Sequence, residues 1–231
     1  VLIEGIQGEG GITPARADYL LGLRRLCDER RLLLMMDGVQ CGYFRSGRFQ
    51  SFQRILEGVP GAEGFLPDAI SMAKSLGGGF PIGAFWVREP YQDLLGPGSH
   101  ATTFGGTPLA CAVALRVLSV VERDCLADNA RAVGEFLQTG LKALMTHHPQ
   151  AIASVRGLGL MLGFELGSAI PAFAGSDKTP SQQMVNRLHE AGLLTVPSGS
   201  HVIRLLPALN LTREQAAEGL QIIAGVLEQL G

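Results

Sequence analysis

The sequence predicts an α/β fold, a largely parallel sheet flanked by helices, followed by a smaller α+β domain. Three observations carry this. Apolar runs of strand length, residues 32–36 and 69–73, alternate with stretches of helical period. Both runs stop abruptly at a polar side chain, Asp37 and Lys74. After Cys125 the order changes to long amphipathic helices and strands that alternate around the turn Arg156-Gly157-Leu158-Gly159. The expected domains are therefore residues 1–124 and 125–231.

Taken in order, residues 1–3 read as a short buried strand ahead of the glycine-rich turn Gln7-Gly8-Glu9-Gly10-Gly11. Thr13-Pro14 offers a helix cap and first-turn proline, and Tyr19, Leu20, Leu23, Leu26 and Cys27 carry a helix to about Arg30. Strands follow at 32–36, 69–73 and 82–87, with an irregular loop over 43–67 punctuated by glycine and proline. Thr107 caps a helix running to about Glu122, and a second helix from Leu126 is stopped by Pro149. Beyond it, 152–155, 160–166 and 202–206 read as strands. Thr179-Pro180-Ser181-Gln182 and Thr212-Arg213-Glu214-Gln215 have capping-box spacing and open the last two helices.

Charged residues are 17% and hydrophobic residues 46% of 231, the balance of a globular chain. Nineteen basic against twenty-one acidic side chains exclude a nucleic-acid surface and a polybasic membrane patch. No apolar run approaches the ~20 residues of a membrane span. Cys27, Cys41, Cys111 and Cys125 lack metal-ligand spacing and read as reduced core residues of a cytoplasmic protein. The five histidines show no ligand-like grouping, so no metal is expected, and Trp86 and the phenylalanines read as core. The chain opens inside a strand-like run without methionine, which reads as the C-terminal part of a longer protein.

In parallel sheets, ligands gather outside the carboxyl ends of the strands. Asp37 and Lys74 both stand there, an acid and an amine on one rim. Period-two alternation puts Lys74 on the face of Ile70 and Met72, where desolvation favours the neutral amine. A structural lysine snorkelling from the sheet end fits the same stretch. Asp37 reads either as a cap on loop amides or as counter-ion to a cationic ring nitrogen. Together, a lysine that forms an imine and an acid on the ring nitrogen are how proteins hold pyridoxal phosphate.

The ordered motifs around this pair resemble one family. They are Glu4-Gly5-Ile6-Gln7-Gly8-Glu9-Gly10-Gly11, Leu26-Cys27-Asp28-Glu29, Asp37-Gly38-Val39-Gln40-Cys41-Gly42 and Arg45-Ser46-Gly47. Ala73-Lys74-Ser75-Leu76-Gly77-Gly78-Gly79-Phe80-Pro81-Ile82-Gly83-Ala84 and Gly98-Ser99-His100-Ala101-Thr102-Thr103-Phe104-Gly105-Gly106-Thr107-Pro108-Leu109-Ala110-Cys111 follow. Arg156-Gly157-Leu158-Gly159-Leu160 and Ile203-Arg204-Leu205-Leu206-Pro207 complete the series. The whole chain, in this order, resembles the class III pyridoxal-phosphate aminotransferases. Within them it is most similar to the acetylornithine type, through Gly98-Ser99-His100 and Pro108-Leu109-Ala110-Cys111.

The resemblance implies part of a fold-type I large domain followed by its small C-terminal domain. It implies that Lys74 forms the imine with pyridoxal 5'-phosphate and that Asp37 holds the ring nitrogen. Val39 would pack on one ring face, Gln40 lie near the ring hydroxyl, and Thr103 reach the cofactor phosphate of the neighbouring subunit of a homodimer. Thr102 would approach the substrate, Arg204 clamp a substrate carboxylate, and Glu9 mask that arginine between half-reactions. Three residues depart from the family pattern: Gly5 for a proline, Gly38 for a glutamate, and Thr107 for an asparagine. Loss of the glutamate would loosen the support of Asp37. The family's phosphate cup, ring-stacking aromatic and second substrate arginine would lie ahead of Val1. The expected reaction is transfer of an ω-amino group from N-acetylornithine to 2-oxoglutarate in arginine biosynthesis. Alternatives are a succinylornithine, ornithine or other ω-amine aminotransferase, an aminomutase, or a non-catalytic relative serving as an interaction module.

Overall fold

In the computed structural model, which describes residues 1–230, the contacts separate Val1–Gly5 and Ala15–Ala127 from Ile6–Pro14 and the chain from Asp128 onward. In chain order the elements are β1 (Leu2–Glu4), β2 (Ile6–Gln7), β3 (Thr13–Pro14), α1 (Ala17–Arg30), β4 (Met35–Asp37), α2 (Ser51–Ile55), β5 (Ala69–Met72) and β6 (Ala84–Val87). Then come α3 (Pro108–Arg123), α4 (Leu126–His147), β7 (Ile152–Leu158), β8 (Met161–Leu166), α5 (Pro180–Glu190), β9 (Val196–Ser198), β10 (Val202–Leu205) and α6 (Arg213–Glu228). No helix among the described residues is long and apolar enough to cross a membrane.

The first unit is built on a sheet of order β1-β4-β5-β6, in which β1, β4 and β5 run parallel and β6 is antiparallel. Leu20 of α1 and Phe52 and Leu56 around α2 pack on Met36 and Ile70 of the central strands. That burial explains why both strand runs are apolar at nearly every position. β1 is an edge strand, so Leu2 is 63% exposed rather than buried as its composition suggested. Asp68, 1% exposed, ties the sheet together. Its Oδ2 accepts from the Leu34 amide at 2.8 Å and pairs with Arg24 of α1 at 2.8 Å, and its own amide donates to the Leu34 carbonyl at 2.8 Å.

The second unit has an antiparallel sheet of order β7-β8-β10-β9. Residues of α4, α5 and α6, among them Leu141, Leu188, Ile223 and Leu227, bury Phe164, Leu166 and Ile203 on this sheet. The division by contacts differs in detail from the expected domains. The unit claims the hairpin Ile6–Pro14, and its later part begins at Asp128 rather than 125. The physical reason is Ile12, fully buried, which packs so closely on Gly163 that a Cβ there would lie only 3.0 Å from it. Gly231, where the expected second domain ends, lies outside the described residues.

Further differences are local. Thr13-Pro14 lies in β3, and α1 starts at Ala17 with Arg16 at its cap, so proline serves a strand and not a first turn. A short helix, α2, interrupts the expected loop, and β9 had no signal of its own. Phe85 and Phe104 are 52% and 83% exposed, and Cys111 and Cys125 are exposed, against their reading as core. The three threonine caps stand: the side chains of Thr107, Thr179 and Thr212 each accept an amide of the following first turn.

Two measurements check these energetics. Asp68→Ala leaves Arg24 and the Leu34 amide without their acceptor and should cost roughly 3 kcal/mol in denaturant unfolding. In the second unit, the hydrogen bond from Arg156 holds the Glu165 carboxyl below the usual glutamate range. A depressed folded value means the stabilisation is present above the unfolded value, about 4.3, and is lost as pH falls through the folded one. Because the pair is partly open to solvent, the gain is below about 1 kcal/mol. The Tm difference between Glu165→Gln and the parent should therefore shrink on acidification from neutral pH.

Candidate active site

Asp37 closes β4 directly opposite Ser71 of the parallel strand β5. Its Oδ1 accepts from the Val39 amide at 2.9 Å and from Ser71 Oγ at 3.1 Å. The carboxylate is thereby oriented through one oxygen, while Oδ2 accepts no hydrogen bond from the described residues. Val39 and Gln40 are half-buried on the same turn, which is closed by Gly42 N–H to the Gly38 carbonyl at 3.0 Å and by Gly38 N–H to the Ser71 carbonyl at 2.9 Å. Ser71 was missed from sequence. Its signal was a lone hydroxyl in an apolar strand, which period-two reasoning treats as a tolerated exception.

Lys74 follows β5 by two residues, on the strand next to that of Asp37 and at the same end. Its environment differs from the expectation. The strand stops at Met72, Ala73 is extended, and Lys74 opens a 3₁₀ turn, Lys74–Gly77, with φ 49°. Alternation therefore never places it on the face of Ile70 and Met72, and the side chain is exposed rather than desolvated. A left-handed φ in a residue with a long side chain is strained, and such strain persists only where the surroundings hold it. α3 packs on this turn. Gly78 permits the contact: it has φ 56°, and a Cβ there would lie 2.8 Å from Val117 Cγ2. Of the three glycines, Gly78 thus serves the close approach of a helix behind the lysine.

Thr102 and Thr103 are exposed in the turn ahead of α3. Thr107, whose Oγ1 accepts the Ala110 amide at 3.3 Å, caps that helix as an asparagine would, which accounts for one departure from the family pattern.

On the second unit, Glu9 and Arg204 meet across 195 positions of sequence. Arg204 Nη1 donates to Glu9 Oε1 at 2.6 Å, with the arginine side chain 11% and the glutamate 71% exposed. The arginine is thus recessed and the acid lies over it from the solvent side. The structure brings this pair together and, separately, groups Asp37, Val39, Gln40 and Lys74 around the ends of β4 and β5. No group of three or more metal-ligating side chains occurs among the described residues.

These donors suit pyridoxal phosphate. A primary amine stands beyond one strand end, and a carboxylate with one oxygen fixed and one open stands at the next, as an aldehyde and a ring nitrogen require. The two glycine departures share one cause. A Cβ at Gly38 would run into Gln50 Oε1 and lie 2.9 Å from the Ser71 carbonyl oxygen; one at Gly5 would run into Ser51 Oγ. Gln50 and Ser51, 1% and 2% exposed, fill the volume those side chains would need. The turn bearing Asp37 is therefore packed rather than loosened. Gly38→Glu, which restores the family's usual residue, should destabilise the chain by roughly 1–3 kcal/mol in thermal unfolding. Adding Gln50→Ala should recover part of that loss.

Comparison with known proteins agrees with this geometry. A family model, Aminotransferase class-III, matches residues 1–227. Acetylornithine aminotransferase of Gloeobacter violaceus is 41% identical over 230 residues, covering 100% of this chain and 53% of that protein. The enzyme of the same name from Nostoc sp. is 39% identical over 227 residues, covering 98% and 49%. The chain thus spans about half the length of the curated relatives it matches. Among solved structures, N-acetylornithine aminotransferase of Stenotrophomonas maltophilia is similar at a TM-score of 0.82 and 33% identity, over 99% of this chain and 56% of that one. The ornithine aminotransferase of Toxoplasma gondii, with PLP at partial occupancy in its active site, matches at a TM-score of 0.86 and 32% identity, over 99% and 51%. A match of that extent, with the paired acid and amine at adjacent strand ends, means that the chain belongs to the class III aminotransferases.

Proposed function

We propose that this chain supplies the lysine, the ring acid and the carboxylate-binding arginine of a transaminase that moves the ω-amino group of N-acetylornithine to 2-oxoglutarate, a step of arginine biosynthesis. The observation that carries the reading is the Asp37 carboxylate, fixed through Oδ1 alone beside the strand that leads to Lys74. The choice of donor rests on the acetylornithine aminotransferases, 36–41% identical across nearly the whole chain. The enzyme acts as a cytoplasmic homodimer. Four free cysteines and the exposed apolar side chains Leu94, Phe104, Leu109 and Leu115 support that reading.

Bound pyridoxal phosphate supplies an electron-poor ring that draws off the charge left when the substrate carbon loses a proton. Asp37 Oδ2 would keep the proton on the ring nitrogen. Lys74 Nζ would hold the cofactor and serve as the base that moves a proton to and from the substrate carbon. Val39 would pack on the ring, and Gln40 would lie near its hydroxyl. Thr103 would serve the phosphate of the neighbouring subunit's cofactor, and Thr102 would approach the substrate. Arg204 takes a carboxylate in the two-pronged manner of a guanidinium, with Glu9 leaving it when that carboxylate arrives.

A second reading, an ornithine-type enzyme, is favoured by the Glu9–Arg204 pair and by the ornithine aminotransferases among the similar structures. Steady-state kinetics with both donors decide between them. N-acetylornithine should exceed ornithine in kcat/KM by at least about tenfold, roughly 1.4 kcal/mol of transition-state preference. In the enzyme containing this chain, Lys74→Ala should abolish turnover, and Asp37→Asn should retain cofactor yet lose at least about 100-fold in kcat. Unchanged turnover in Asp37→Asn would remove the electron-sink role.

A further inference from the structure

The turn that carries Glu9 is held by a residue outside every motif noted in the sequence. Ser198 ends β9, is 2% exposed, and lies opposite Val202 of β10. Its hydroxyl accepts from the Gly11 amide at 2.8 Å and shares its own proton between the carbonyls of Gly8 at 2.8 Å and Glu9 at 2.9 Å. Arg156 Nε takes the Gly11 carbonyl at 2.6 Å, and Thr13 Oγ1 donates to the Gly10 carbonyl at 3.1 Å. Every residue from Gly8 to Gly11 is thus tied by its backbone to a side chain. The turn needs such holding, because Gly11 and Ile12 are successive left-handed residues at φ 90° and 52°, the second β-branched.

Arg204 lies two residues beyond Val202 on β10, on the same face and about 7 Å along the strand from the level of Ser198. One short stretch of the β9–β10 ladder therefore carries both the pin for the Glu9 backbone and the partner for its side chain. We infer that Ser198 is the positioning residue of the Glu9–Arg204 pair, fixing the turn from which the Glu9 side chain reaches the guanidinium. The glutamate side chain is 71% exposed, whereas its backbone is held. Ser198 thereby sets how strongly an incoming carboxylate must compete for Arg204. The inference rests on the reading of Arg204 as the carboxylate site.

The test uses the cofactor-loaded enzyme containing this chain, with glutarate as a dicarboxylate probe that carries no keto group. Two readouts are needed: hydrogen exchange of the peptide spanning residues 6–14, and glutarate affinity by calorimetry. Ser198→Ala should speed exchange of the Gly11 amide at least tenfold and tighten glutarate about three- to tenfold, because Glu9 then competes less well. Glu9→Gln should tighten glutarate similarly, and Ser198→Ala should add nothing in the Glu9→Gln background. Unaltered exchange at Gly11, or an equal effect of Ser198→Ala with and without Glu9, overturns the assignment. Should Ser198→Ala not fold, Ser198→Cys, with its weakly bonding thiol, is judged by the same two readouts. Glutarate affinity unaffected by Arg204→Leu would overturn the reading of Arg204, whereas the amide exchange decides the clamp on its own.

Discussion

The geometry of the candidate site in the first unit depends on where β4 and β5 start relative to one another, and a buried carboxylate settles that. Asp68 exchanges backbone and side-chain hydrogen bonds with Leu34 at the head of both strands. That contact fixes Met35 against Ala69, and so Asp37 against Ser71 two residues later. A slip of one residue would turn Asp37 to the other face and separate it from the hydroxyl that orients it. Arg24 and Arg88 pair with this buried carboxylate at the bottom of the sheet. The reactive rim is thus set from the opposite end of the strands, by a group that touches no substrate.

The two units carry different chemistry. The first offers an amine and an oriented acid, the groups that on the proposed reading would handle a cofactor. The second offers a recessed guanidinium under an exposed carboxylate, the groups that on the same reading would choose among acids. Each is built in the way its sheet allows. Parallel strands present their carboxyl ends together, so residues just past them converge. Antiparallel strands present alternate residues on one face, so Ser198 and Arg204 come from neighbouring strands onto the face that also receives the hairpin Ile6–Pro14.

Much of this was legible because it is local or topological. The caps at Thr107, Thr179 and Thr212 are short-range chemistry, and the strand-end placement of Asp37 and Lys74 follows once the sheet is taken as parallel. What sequence hid is long-range. Nothing near Ile6 announces that its hairpin belongs with a unit formed far downstream, because a two-residue strand has too few side chains to show a period. Ser198 is hidden for the same reason, in a three-residue strand containing a proline. The left-handed backbone of Lys74 could not be read either, since nothing in its residue type favours that conformation. Gly5 and Gly38 read as losses until Ser51 and Gln50 were seen in the space beside them.

The strained backbone at Lys74 also bears on how this protein tolerates change. Selection for stability alone would favour glycine there, since glycine accepts a left-handed φ that a lysine resists. The most stable chain and the active chain therefore part company at this position. A collection of variants ranked by melting temperature would tend to discard the one amine on which the proposed chemistry turns, and would do so without any sign of damage to the fold.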